Sequence, residues 1–240
     1  MPPLRREPKR RSRRTIAVAY GGAALVAAVL IAASLAGSRT AEAEPAAAPS
    51  THVKPTSLFR GITQDGIALG SPEAPVTLVE YADLQCPYCA QWSRDVLPAL
   101  VDEYVRPGRV RLVFRGLAFI GPDSEKALRT VLAAGEQDRL WDLVHGLYAN
   151  QGAENTGWVN DDLLRSVAPA PVDADLMLAE THSAAVEREL AAASRAAEQA
   201  RVPGTPFFQA GRTGGQLHEL RVAALDAAAF RAALDPLLTG

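Results

Sequence analysis

The chain has two cysteines in 240 residues, and they stand three positions apart, as Cys86-Pro87-Tyr88-Cys89. Thiols at that spacing can close an intramolecular disulfide and reopen it by exchange with a thiol of another molecule. Exchange requires one sulfur that ionises readily and a second within reach behind it. The flanking residues supply both conditions. Val76, Leu78, Val79 and Tyr81 form a β-branched and aromatic run of strand length. Pro87 suits the first position of a helix, where its missing N–H would have no partner in any case. Cys86 then becomes the N-cap, with unpaired N–H groups and the positive end of the helix dipole facing its sulfur. Its pKa is expected well below the free value of roughly 8.5. Cys89 falls one turn on, toward the protein, placed to attack a mixed disulfide at Cys86.

Other chemistries fit the pair less well. It can be two buried thiols, an inert structural disulfide, or half of a zinc site. A disulfide across so short a loop adds little stability, because the gain grows with loop length. A structural zinc takes four protein ligands. The sequence offers no second CxxC and no HxxxH, and His52, His145, His182 and His218 are scattered singly. No metal site and no nucleotide loop is read. A strand–CxxC–helix context favours redox exchange, with the Cys86–Cys89 disulfide as the redox group and no separate cofactor.

The elements that must carry this pair follow in order. Ile62 to Gly70 reads as a hairpin turning at Asp65-Gly66. Ser71 to Pro75 turns into the Val76 strand, and a helix is expected from Pro87 to about Tyr104, kinked by Pro98. Arg109 to Phe114 alternates as a second strand, giving a βαβ unit with parallel strands. Ser124 to Asn150 has the apolar spacing of two helices; Asp161–Val167 and a long helix Ala174–Arg201 continue the helical block. Phe207-Phe208 opens a further strand, Gly211 to Gly215 turns it, and Gln216 to Val222 can return beside it. Asp226 caps a last helix running to Leu238. The order is hairpin, βαβ, helices, ββα, with the CxxC after the first core strand. This is the α/β thioredoxin pattern with a helical insertion at about 122–201.

Hydrophobic content of 48% and charged content of 22% belong to an ordinary globular protein. The charge is unevenly placed. Seven of the first 14 residues are Arg or Lys against the single Glu7, whereas the whole chain balances 25 basic against 27 acidic side chains. A basic tail is joined to an acidic body, and nothing in that body points to a nucleic-acid surface. Residues 15–37 carry no charge and are long enough to cross a bilayer, and the arginines before them are expected to stay in the cytoplasm. A cleaved signal peptide is the rival reading, with Ala41-Glu42-Ala43 as its cleavage site. Paired arginines also invite a twin-arginine export reading, which the residues after Arg14 do not strengthen. The expected layout is therefore a basic cytoplasmic tail at 1–14 and a single-pass membrane anchor or signal at 15–37. A Pro- and Ala-rich linker at 38–58 leads to a catalytic domain at 59–240, outside the cytoplasm either way.

Several stretches resemble one family. Ala74-Pro75-Val76 through Cys89, Gly121-Pro122-Asp123-Ser124, Ala134 to Trp141, Asn150-Gln151-Gly152, Gly157-Trp158 and Gly204-Thr205-Pro206 before Phe207-Phe208 are similar to the DsbA-like branch of thioredoxin-fold proteins. The likeness is greatest to membrane-anchored or secreted members from actinobacteria. It implies Cys86 as nucleophile, Cys89 as resolving cysteine, and Pro206 as a cis-proline opposite the pair. The Thr205 backbone would then lie beside Cys86 and, with Pro87 and Tyr88, meet the substrate as a short added strand. It also implies Glu80 as an acid beneath the cysteines; burial would raise its pKa and let it exchange a proton with Cys89. A strand-edge glutamate facing water is the alternative. Asp83 is read as a loop cap, and Trp92, Trp141 and Trp158 as packing residues.

The resemblance implies a disulfide donor to secreted or cell-envelope proteins, reoxidised by a quinone-linked membrane partner. A reductase or isomerase of the same fold, and a non-catalytic binding module, are the alternatives.

Overall fold

The computed structural model describes residue 52 and residues 58–239. The basic tail, the uncharged segment 15–37 and nearly all of the linker lie outside the described residues. Among the described residues no helix is long and apolar enough to cross a membrane.

Six strands form one sheet: β1 (Gln64–Asp65), β2 (Ala68–Leu69), β3 (Val76–Ala82), β4 (Val110–Gly116), β5 (Phe207–Arg212) and β6 (His218–Glu219), in the order β1-β2-β4-β3-β5-β6. β3 and β4 are parallel, in register from Val76↔Val110 to Ala82↔Gly116, and every other pair is antiparallel. The parallel pair requires a crossover. It is made by α1 (Pro87–Asp95), α2 (Leu97–Leu100) and a π-helical turn at Val101–Val105. Between β4 and β5 lie α3 (Pro122–Gly135), α4 (Leu140–Ala149), α5 (Asp161–Val167), α6 (Ala174–Ala179), a 3-10 turn (Glu180–His182) and α7 (Ala184–Ala200). The chain closes with α8 (Ala227–Thr239), whose first turn is capped by Asp226 accepting from the Ala229 N–H at 2.8 Å.

β3 is the centre of the sheet, and six of its seven residues are buried. Alternation sends Leu78, Glu80 and Ala82 to one face and Val79 and Tyr81 to the other. The first face joins the main core, with Trp92, Phe114, Trp141, Tyr148 and Phe230. The second packs on Ala196, Ala197 and Ala200 of α7, with Leu117 and Phe207. Alanine at these three positions lets that helix lie close to the sheet.

Four details depart from the sequence expectation. Paired Asp65↔Ala68 puts the hairpin corner at Gly66-Ile67, one residue later, with Gly66 at φ +54°. The active-site helix does not run unbroken to Tyr104. It stops at Val96, because Pro98 has no N–H to bond the Arg94 carbonyl and begins a new segment instead. The long helix expected over Ala174–Arg201 is broken at Ser183, whose side chain caps α7 by accepting from the Val186 N–H. The returning strand expected over Gln216–Val222 shrinks to His218–Glu219.

Candidate active site

β3 leaves the sheet at Ala82, and the loop Asp83-Leu84-Gln85 turns the chain into α1. The Cys86 N–H donates to the Asp83 carbonyl at 3.0 Å, and the Cys86 carbonyl accepts from the Ala90 N–H at 3.1 Å. Cys86 is thus the N-cap, in extended conformation (φ −70°, ψ 121°), with Pro87 following at the start of the helix. Both cysteines are thiols and buried.

The two sulfurs lie in opposite electrostatic settings. For Cys86, the hydrogen bond with Cys89 is the largest influence. Burial opposes it, and the Thr205 side chain and the N–H groups of Cys89 and Tyr88 add to it, so the pKa falls to about 6. The backbone groups act through their field here, since none closes a cap hydrogen bond to the sulfur. Cys89 has no exposed surface, and burial pushes its thiol far above the usual range. The bond to Cys86 and the Glu80 charge push the same way. One thiolate is therefore favoured, at the outer sulfur.

Glu80 sits in the middle of β3, between Phe114 on β4 and Phe208 on β5. It is 2% exposed, and neither carboxyl oxygen has a hydrogen-bond partner. It is not a strand-edge glutamate facing water. Burial, and then the Cys86 charge, raise its pKa well above the ordinary carboxylate value. An orphaned buried carboxyl is costly and needs a reason. Its field reaches the buried Cys89 sulfur.

Thr205-Pro206 closes the site from the other side through a cis peptide. The Thr205 carbonyl accepts from the Cys86 thiol at 3.3 Å. Pro87 and Tyr88 face solvent, Tyr88 at 64% exposure. All seven residues singled out from the sequence, Glu80, Cys86, Pro87, Tyr88, Cys89, Thr205 and Pro206, belong to this one neighbourhood.

Sequence reasoning names Asp83 as a loop cap and misses the other residues that hold the loop in place. Asp83, fully buried, accepts from the Phe119 N–H at 2.7 Å, the Ile120 N–H at 3.1 Å, the Ser124 hydroxyl at 2.6 Å and the Gln85 N–H at 2.8 Å. Its role as a loop cap is far more extensive than the sequence conveys. The Gln85 amide donates to Ser124 and Asn155, and its carbonyl accepts from the Asn155 N–H at 2.7 Å. The Tyr148 hydroxyl donates to the Asp83 carbonyl at 3.1 Å. Burial above all, with the nearby Cys89, Glu80, Cys86 and Asp83 charges, keeps that phenol protonated. Gln85 and Gln151 lie within stretches that carry the family resemblance, but no local signal gives either a role. Trp92 and Trp141 are core residues, and Trp158 packs against that core.

Comparison with known proteins fits this geometry. A family model described as thioredoxin matches residues 63–220. The probable disulfide bond formation protein D of Bacillus cereus is 33% identical over 158 residues, spanning 64% of this chain and 72% of that protein. Oxidised BdbD from Bacillus subtilis shares the fold at a TM-score of 0.61 and 20% identity, over 78% of this chain and 97% of that one. A thioredoxin-like oxidoreductase from Silicibacter pomeroyi DSS-3 gives a TM-score of 0.56 at 28% identity, over 75% and 95% of the two chains. With the helical insertion between β4 and β5 and a CPYC pair capping α1, the chain belongs to the DsbA-like branch of the thioredoxin family.

Proposed function

We propose that this thiol:disulfide oxidoreductase works outside the cytoplasm as an oxidase, passing its Cys86–Cys89 disulfide to thiols of secreted or cell-envelope proteins. A substrate thiolate attacks the Cys86 sulfur of the oxidised pair. The sulfur–sulfur bond breaks, its electron pair leaves on Cys89, and Glu80 supplies the proton that the buried sulfur requires. A second substrate thiolate then attacks the substrate sulfur of the mixed disulfide and releases Cys86 as a thiolate. The substrate has lost two electrons and the enzyme pair has gained them. A membrane protein that passes those electrons to a quinone restores the disulfide. The Thr205 backbone beside the cis-proline pairs with substrate main chain, and Pro87 and Tyr88 form the exposed rim.

One observation carries the oxidase reading: the Cys86 thiol is pushed down to about 6 while Cys89 is pushed up. Stabilising one thiolate stabilises the reduced enzyme, which makes its disulfide a better oxidant. The test is the equilibrium potential against glutathione. A value between roughly −120 and −230 mV is expected, and one near about −270 mV would mark a thioredoxin-like reductant instead. Exchange with a reduced model protein also separates an enzyme from a binding module that keeps the fold.

Location rests on the arginine-rich residues 1–14 before an uncharged run long enough to span a bilayer. Reporter fusions after Gly37 and after Gly240 are expected to act only outside the cytoplasm. A cytoplasmically active reporter at either junction would refute the placement.

A further inference from the structure

We propose that Gln151 is a positioning residue for the attacking sulfur: its amide bridges the carbonyls of Leu84 and Cys86 and so fixes the backbone that aims Cys86 at the helix N–H groups. The inference rests on the exchange reading above, with Cys86 as the nucleophile.

The Gln151 Nε2 donates to the Leu84 carbonyl at 3.0 Å and to the Cys86 carbonyl at 3.2 Å. Both hydrogens of one amide are thereby used, one on each side of the Gln85-Cys86 segment. The Cys86 carbonyl also accepts the first helical bond, from Ala90. Its orientation sets the ψ angle of the N-cap, and that angle decides whether the sulfur faces the N–H groups of Tyr88 and Cys89. A donor on the same carbonyl also offsets part of the negative charge that its oxygen carries near the thiolate.

Gln151 is itself held. It follows α4, where the Tyr148 hydroxyl binds the Asp83 carbonyl and Arg94 donates to the Tyr148 carbonyl. Gly152 lies against Trp158 so closely that a Cβ there would meet the ring at 2.7 Å. Further along, Asn155 pairs with Gln85. The helical insertion therefore reaches the thiolate through a side chain with no chemistry of its own. The titratable groups around Cys86 are Cys89 on α1, Glu80 on β3, Tyr148 on α4 and Asp83 in the loop before α1, and the Gln151 amide bonds to backbone carbonyls rather than to any of their side chains.

The test uses the reduced full chain carrying Gln151→Met, which keeps the length without a donor, and Gln151→Glu, which puts acceptor against acceptor. Thiolate absorbance across pH is expected to show the acidic transition of Cys86 moved up by about one unit in the methionine variant, and further in the glutamate variant. The equilibrium constant with glutathione should shift about tenfold toward a weaker oxidant, roughly 30 mV. The melting temperature should fall more in the reduced form than in the oxidised one. An unmoved transition, with equal melting losses in both forms, would make Gln151 a loop staple and overturn the inference alone. A wild-type chain without any acidic thiol would overturn the exchange reading and this inference together.

Discussion

The two faces of β3 place adjacent polar residues in opposite circumstances. Tyr81 points to the face covered by α7, and its hydroxyl donates to Gln209 at 2.9 Å. Glu80 points to the face covered by α1 and has no partner for either oxygen. Each is in the most buried strand of the sheet, so the difference does not come from depth. One face is built for stability, and its polar group is satisfied. The other leaves a buried carboxyl unsatisfied on the side of the exchange pair, where the proton transfer proposed for Cys89 would use it. Local stability is given up where the chemistry is.

The largest expected effect removes the chemistry from the Glu80 face altogether. Cys86→Ala should abolish exchange with a reduced model protein, whereas Cys89→Ala, offered a disulfide-bonded protein that the Cys86 thiolate can attack, should accumulate mixed disulfides on Cys86, visible by non-reducing electrophoresis and mass. Trapping through Cys89 in the Cys86 variant would reverse the roles.

Glu80→Gln comes next. It removes the proton donor while keeping the shape, so opening of the Cys86–Cys89 disulfide by the substrate thiolate should slow by about 10²-fold, while release of Cys86 by the second substrate thiolate stays nearly unchanged. Stopped-flow separation of the two steps checks this, and equal slowing of both would take Glu80 out of proton transfer.

The same variant sharpens the comparison through pH. The folded protein keeps the Glu80 proton where the unfolded chain releases it, above about pH 4.3. Native protein then binds more protons than unfolded, so the stability of the oxidised form should fall with rising pH, by about 1.4 kcal/mol per unit. The slope should continue toward the raised folded pKa and vanish in Glu80→Gln. In the reduced form Cys86 adds the opposite slope. Its folded pKa of about 6 lies below the unfolded value, so its contribution grows between about pH 6 and 8.5. Denaturant titrations of both redox forms across pH measure the two slopes; identical profiles would contradict the assigned proton inventory.

The smallest effect belongs to the other face. Tyr81→Phe loses the part-buried hydroxyl bond to Gln209 and the longer one, 3.5 Å, to the Ala196 carbonyl, and should cost about 1 kcal/mol, with exchange rates unchanged. A drop in exchange at constant stability would show that the two faces are not separable.

Much of the chemical face is legible in the sequence. A strand, a proline after the first cysteine and a two-residue gap specify an N-cap sulfur, because those signals are local. Glu80 can be placed in the strand, but which face it takes cannot be read from alternation in a strand buried on both sides. Gln151, Tyr148 and Asn155 are invisible there as site residues. Their partners in the loop Asp83–Cys86 lie 65 to 70 positions away, and only the folding of the insertion onto α1 brings them there. The break at Ser183 escapes sequence reasoning because the residues on both sides favour helix, so the cap has to compete with a continuous pattern.

The central claim is that the outer sulfur ionises first and the inner one scarcely at all. Alkylation of the reduced chain across pH, with peptide mapping of each cysteine, tests it directly. Modification of Cys86 should be half-maximal near pH 6, with Cys89 unreactive until the protein unfolds. Modification of Cys89 at a lower pH than Cys86 would contradict the account.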